Sequence, residues 1–203
     1  QFAAENGMQF EFVSREIYRN KESDTFLESL NSTFGDFYLL PEGGTNGLAI
    51  QGCKEILTSD DADFDYICCA VGTGGTIAGI IESAADNQTV LGFPALKGDF
   101  LKEVVRSYTT RDNWDLISGY DFGGYGKMNT GLVAFMNEFY KQTTIPLDPI
   151  YTSKLLFGVL DLVDQRFFPN GSRILAIHTG GGQGIAGMNL KLKKANLPLI
   201  RYD

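Results

Sequence analysis

The sequence predicts an α/β fold: a mostly parallel sheet with helices on both faces. Two observations predict it. Apolar runs with strand character alternate with segments of helical spacing along the chain, the order of strand–helix–strand units. Three glycine-rich loops, "PEGGTN", "GTGGT" and "HTGGG", each fall at a strand end. Ligands of such sheets bind outside the carboxyl ends of the strands, so three loops meeting there are more informative than any one.

Each element has a local reason. "QFAAENG" reads as the last turns of a helix closed by Gly7, so the chain opens at Gln1 in mid-structure. "MQFEFV" alternates and is rich in aromatics, which predicts a strand. "SDTFLESLNSTF" offers Ser23 or Asp24 as N-cap and places Phe26, Leu27, Leu30 and Phe34 at helical spacing. "DFYLLP" predicts a short strand, "EGGTN" a turn and "GLAIQGCKEILTS" a helix. The order then repeats. "FDYICCAV" is a strand, "GTGGT" a loop and "IAGIIESAAD" a helix. "TVLGFP" is a strand, "DFLKEVVRSYTT" a helix and "NWDLISGY" a further strand. "TGLVAFMNEFYKQT" and "SKLLFGVLDLVDQRF" are helices, and "SRILAIHTGGG" is a strand ending in glycines. No repeat, low-complexity tract or flexible linker interrupts the chain. A boundary near Leu40-Pro41 divides it into residues 1–40 and 41–203.

Composition narrows the function classes. The 203 residues are 43% hydrophobic and 12% aromatic, enough for one sizeable core. A net charge of −8 argues against nucleic acid and anionic membranes as main partners. A local anion site remains open, because backbone amides supply one without net positive charge. Cys53, Cys68 and Cys69 form no disulfide framework, and the adjacent pair reads as small core residues in a reduced, cytoplasmic setting. Neither paired histidines nor a C-x-x-C motif is present, which disfavours a zinc site. No apolar span reaches transmembrane length, and no signal peptide is seen.

The stretch "AVGTGGTIAGI" places a tight glycine loop between a strand and a helix. Unpaired N–H groups at a helix N-terminus favour an anion there, glycines let the backbone approach it, and Thr73 and Thr76 add hydroxyls. From the loop alone, a phosphate site and a bare βα turn with a threonine cap are equally good readings. A Walker A loop fails because Ile77 follows Thr76 where a lysine motif would be needed. A dinucleotide fingerprint fails because its last glycine is missing, and no acidic residue closes "TVLGFP" to hold a ribose. A small phosphate-bearing cofactor fits better than a nucleotide.

"GTGGTIAG" resembles the phosphate loop of fold-type II pyridoxal-phosphate enzymes, the tryptophan-synthase-β-like group. With "FVSREIYRNK", "YLLPEGGTNGLAIQGCKE", "DFGGYGKMN", "PLDPIYTSKLLFGVLDLV" and "ILAIHTGGGQGIAGMN", the chain resembles the family of 1-aminocyclopropane-1-carboxylate deaminase and D-cysteine desulfhydrase over nearly its whole length. The resemblance implies that Gly72, Thr73, Gly74, Gly75 and Thr76 hold the phosphate of pyridoxal 5'-phosphate. It implies that Tyr125 faces the substrate, that Tyr151 lies near cofactor and substrate, that Thr152 faces the pyridine nitrogen and that Thr179 lines the cofactor. Without it, Tyr125 reads as a surface aromatic, Tyr151 as a hydrophobic staple before a helix, Thr152 as an N-cap and Thr179 as a strand-end residue. It further implies that residues 1–40 are the remainder of a small cofactor domain and 41–203 a large cofactor-binding domain, in a homodimer acting on small amino-acid substrates.

Family deaminases carry a glutamate after the tyrosine of "DPxY", and this chain has Thr152 there. A neutral hydroxyl favours a protonated pyridine ring less than a carboxylate does. The expectation is therefore α,β-elimination from a D-amino acid such as D-cysteine, giving keto acid, ammonia and sulfide. Ring opening of 1-aminocyclopropane-1-carboxylate is the alternative. The lysine that anchors the cofactor lies near the N-terminus in this family, before a Ser-Asn motif, and Gln1 aligns downstream of both. Lys54, Lys97, Lys127 and Lys154 stand outside that motif, and solvated lysines are the default expectation. The chain alone is thus expected to show little activity. A non-catalytic ligand-binding protein of the same fold is the competing class. His178, the one histidine, is as readily a backbone hydrogen-bonding residue as an acid–base group.

Overall fold

A computed structural model describes residues 2–202, so the helix opening expected at Gln1 falls partly outside the described residues. Contacts divide the chain into two units, Gln1–Leu40 and Pro41–Asp203. Among its described residues the first holds three helices, α1 (Phe2–Glu5), α2 (Arg15–Arg19) and α3 (Asp24–Phe34). Ser14 and Ser23 cap the latter two, accepting from the N–H groups of Ile17 and Phe26.

Neither strand expected in this unit forms: residues 8–13 and 36–41 carry no strand assignment. Alternation does leave its mark, since Phe10 and Phe12 stack with ring centroids 6.3 Å apart. Alternation gives a segment two faces, but a ladder also needs a neighbour with matching free N–H and C=O groups. These two segments do not supply that for each other.

In the second unit, short 3-10 turns at Glu42–Gly44 and Ser59–Asp61 flank α4 (Gly47–Cys53). Four parallel strands follow, β1 (Tyr66–Val71), β2 (Thr89–Pro94), β3 (Trp114–Leu116) and β4 (Ile174–Ala176), in the order β3-β2-β1-β4. Between and after them come α5 (Gly75–Ser83), α6 (Phe100–Arg106), α7 (Thr130–Thr143), α8 (Thr152–Asp164) and α9 (Gly184–Lys194).

β1 is apolar throughout because both its faces are covered. Ile67, Cys69 and Val71 pack with Ile77, Ile80 and Ile81 of α5 on one face. Cys68 packs with Leu155, Val159 and Leu162 of α8 on the other. Each fully buried aliphatic side chain contributes about 1.5–3 kcal/mol. Burial also pushes the Cys68 thiol up to about 12 and the Cys69 thiol up as well, so both are inert core residues at neutral pH. A third cluster joins α7, α9 and the C-terminal Ile200.

The strand order fixes where a ligand belongs. The chain runs β1 to β2 to β3 toward one edge, then returns to place β4 on the other side of β1. The connections therefore diverge at the carboxyl end of β1, the crevice where open α/β sheets bind ligands.

Candidate functional site

A cleft of about 210 Å³ opens at that point. Its walls are the end of β1 with the loop and first turn after it, residues 70–77, and Gly43, Tyr151 and Thr179. All three glycine-rich loops read from the sequence thus meet at one place.

The floor is the N-terminus of α5. Its first hydrogen bond runs from Ala78 N to Gly74 O, 3.1 Å, leaving the N–H groups of Gly75, Thr76 and Ile77 ahead of the helical ladder. No side chain caps this end. Gly74 takes φ 90°, a left-handed turn that aims the chain into the helix. Uncapped amides at the positive end of a helix dipole form an anion site.

The loop from 43 to 45 closes one side. Thr45 and Thr73 share a hydroxyl–hydroxyl hydrogen bond. Gly43 has φ +72°, and a Cβ there would lie 2.6 Å from Thr73 Cγ2. A larger residue there would strain the backbone and push the Thr73 side chain aside.

Tyr151 forms the opposite wall. A Cβ on Gly72 would come within 3.3 Å of its hydroxyl, so the tyrosine lies directly over the loop backbone. Its ring meets that of Tyr125 edge-on at 6.2 Å between centroids. Burial pushes the Tyr151 hydroxyl up to about 12, with the neighbouring Tyr125 hydroxyl and Asp148 adding to the effect. Tyr125 itself is 58% exposed, on a loop rather than on the cleft wall.

Asp148 holds Tyr151 in place. This buried carboxylate accepts the N–H groups of Ile150, Tyr151 and Thr152 at 2.8, 2.9 and 2.6 Å, capping α8. In return the Thr152 hydroxyl accepts Asp148 N–H at 2.8 Å. Thr152 is fully buried in this exchange, and the structure does not bring it to the cleft wall. Thr179 does line the cleft, just after β4. His178 uses both ring nitrogens on backbone: Nδ1 accepts Gly180 N–H at 3.1 Å, and Nε2 lies 2.9 Å from Pro146 O.

Lys154 departs from the solvated lysine expected of it. It is fully buried, and its ammonium donates to the carbonyls of Ala95, Asp121 and Gly124. The signal was present in the sequence: residues 154, 155, 158 and 162 share one helical face, the buried face of α8. Gly43, Thr45 and Asp148 also escaped the sequence reading as site residues. The first glycine and the threonine of "EGGTN" and the aspartate preceding a proline at a helix start were their signals.

No family model matches the chain. Curated relatives do. A candidate 1-aminocyclopropane-1-carboxylate deaminase of Thermotoga maritima is 31% identical over 175 residues, 76% of this chain and 55% of that protein. The mitochondrial bifunctional D-cysteine desulfhydrase/1-aminocyclopropane-1-carboxylate deaminase of Arabidopsis thaliana is 28% identical over 205 residues, 88% of this chain and 51% of its own. The chain thus spans about half the length of the curated relatives it matches. A solved ACC deaminase homologue superposes with a TM-score of 0.77 at 24% identity, covering 95% of this chain and 65% of that one. Looser fold matches, with TM-scores of 0.51 and 0.52, are a tomato threonine deaminase and a Helicobacter pylori cystathionine beta-synthase.

The sheet order and its neighbours define the class: this is the fold of the fold-type II pyridoxal-phosphate enzymes. Within that class, the chain belongs to the family of 1-aminocyclopropane-1-carboxylate deaminase and D-cysteine desulfhydrase.

Proposed function

We propose that this chain forms the phosphate- and tyrosine-bearing part of a pyridoxal-phosphate enzyme that eliminates sulfide from D-cysteine. The observation that carries the reading is the cleft itself: an uncapped helix N-terminus and a glycine cradle under a half-buried tyrosine. The residues fit the cofactor. The amides of Gly75 and Thr76, the backbone of Gly72 and Gly74 and the hydroxyl of Thr73 would hold its phosphate, and Thr179 would meet its ring. Bound there, the cofactor supplies an electron sink for the pair left by the α-proton.

The chain's own groups do the rest. Tyr151, held protonated by its surroundings, donates a hydrogen bond from the cleft wall and fixes the substrate's orientation. Tyr125 stands against it, where it can pass a proton to the departing sulfur. Among the described residues no carboxylate lines the cleft, and Asp148, three residues before Tyr151, is committed to three backbone amides. A neutral surround suits β-elimination, which needs a weaker sink than ring opening. The overall change is D-cysteine plus water to keto acid, ammonia and sulfide. Residues 1–40 then belong to the small cofactor domain and 41–203 to the large one, in a dimer.

The relatives' names favour ring opening as the second reading. The test compares the protein extended to its relatives' length with the 203-residue chain, each given pyridoxal phosphate and then D-cysteine or 1-aminocyclopropane-1-carboxylate. Sulfide and keto acid from D-cysteine in the longer protein alone is the expected result. Exclusive turnover of the cyclopropane substrate overturns it, and binding without turnover of either favours a non-catalytic protein.

Gly43→Ala should weaken pyridoxal-phosphate binding by about 10-fold, because left-handed backbone strain and overlap with Thr73 act together on the cradle. Equilibrium dialysis reads this without turnover, and unchanged affinity would remove the 43–45 loop from the site.

A further inference from the structure

The segment Tyr120–Lys127 has an unusual backbone. Phe122, Gly123, Gly124 and Gly126 all take positive φ, at 53°, 96°, 109° and 62°. Phe122 is not a glycine, so its conformation costs on the order of 1 kcal/mol and persists only if its surroundings impose it. Tyr125, the tyrosine facing Tyr151, sits inside this run.

α8 imposes it along one stripe. Tyr120 donates its hydroxyl to Asp161 at 2.7 Å. The Phe122 ring meets Phe157 edge-on at 5.1 Å. Lys154 Nζ donates to the carbonyls of Asp121 at 2.7 Å and Gly124 at 2.8 Å, and reaches back to Ala95 at 3.3 Å. Positions 154, 157 and 161 share one helical face, and Tyr151 lies one turn earlier on it. The helix that carries one tyrosine therefore grips the loop that carries the other.

Of these grips, only Lys154 buries a charge. A fully buried ammonium has three N–H groups to satisfy, and here it meets three carbonyls, two of them on the Tyr125 loop. A hydrophobic side chain of similar length would fill the same space without holding the loop. We propose that Lys154 is a positioning residue that fixes the strained Tyr125 loop and so sets the placement of Tyr125 against Tyr151. Burial pushes its pKa down to about 8, with Asp121 and Asp148 pulling it back, so it remains mostly charged at pH 7. This proposal rests on the reading of the two tyrosines as substrate-facing groups.

The experiment uses the protein at its relatives' length, loaded with pyridoxal phosphate, and two variants. Lys154→Met removes the ammonium and keeps the bulk. Gly124→Ala disturbs the acceptor loop at φ +109° without touching α8, and decides the matter should the first variant fail to fold. Three readouts are taken at pH 7 or by titration. Amide hydrogen exchange should rise at least ~10-fold across residues 121–127 while α8 keeps its protection. The Tyr151 hydroxyl, followed with ring-labelled tyrosine, should titrate below its value of about 12 once Tyr125 moves away. The turnover number on D-cysteine should fall by up to about 100-fold with KM changed far less, as for a displaced reacting group. Lys154→Arg, which keeps charge and donors, should recover part of each. Unchanged loop exchange and unchanged Tyr151 titration in a folded variant would overturn the proposal. Were both to shift while the unmutated protein ignores D-cysteine, the positioning role stands and the substrate reading falls.

Discussion

Asp148→Ala is expected to destabilise the protein by about 4 kcal/mol, because it strands three backbone donors at once, one buried and two part-buried. The carboxylate is 3% exposed and accepts the N–H groups of Ile150, Tyr151 and Thr152. The N-cap residue, Tyr151, makes no side-chain cap of its own, so Asp148 supplies the whole cap of α8. Its negative charge also faces the positive end of a helix of 13 residues. Asp148→Asn sharpens the test. It keeps one oxygen for Ile150 and Tyr151 but turns an amide N–H toward Thr152 N–H, so about half the loss is expected. Urea titration of the three proteins gives the ordering. A loss below about 1 kcal/mol for the alanine variant would mean that water or a shift of the helix start satisfies these amides. The consequence reaches the site, because the freed amides belong to the turn that aims Tyr151 over Gly72.

That cap shows what the sequence makes legible and what it hides. The order of strands and helices in residues 41–203 follows from local pattern, and the helix expected at 130–143 is found at those residues. The meeting of three glycine loops follows from sheet topology, which places strand ends together. Other features depend on partners that no window contains. Residues 8–13 and 36–41 have strand pattern, but pairing decides strands, and they remain unpaired. "SRILAIH" forms a ladder only over Ile174–Ala176, because β1 pairs with those three residues. Lys154 reads as solvated from its type alone, yet three carbonyls from two distant loops receive it. Thr152 stands beside Tyr151 in sequence but turns into the core, because Asp148, four residues back, offers its hydroxyl an N–H. In each case chemistry local in space is remote in sequence, or a neighbour redirects a side chain through a bond that composition does not specify.

Gly79→Val should have an effect of comparable size and reach the cleft by another route. α4 crosses α5 at Gly79. A Cβ there would land on the Cys53 side chain and within 2.8 Å of both the Cys53 carbonyl carbon and Ile50 O. Backbone atoms cannot rotate away as a side-chain tip can, so the helices must separate. Overpacking of this kind costs about 3 kcal/mol or more. The two helices carry the two sides of the cradle: α4 begins just after Thr45, and α5 begins at the end of the Gly72–Gly74 loop. Moving them apart stretches the Thr45–Thr73 contact and widens the anion site. Stability and pyridoxal-phosphate affinity should therefore fall together, the latter by at least ~10-fold, since a helix-terminus anion site depends on close backbone approach. Gly187→Ala is the control. That glycine lies in α9 with nothing near its missing Cβ, and the change should be neutral or stabilise by up to about 1 kcal/mol. Denaturation and equilibrium dialysis on the same preparations separate the outcomes. Lost stability with intact affinity would show that the cradle is held by its own loops. Loss of both assigns the cradle's closure to the helix crossing behind it.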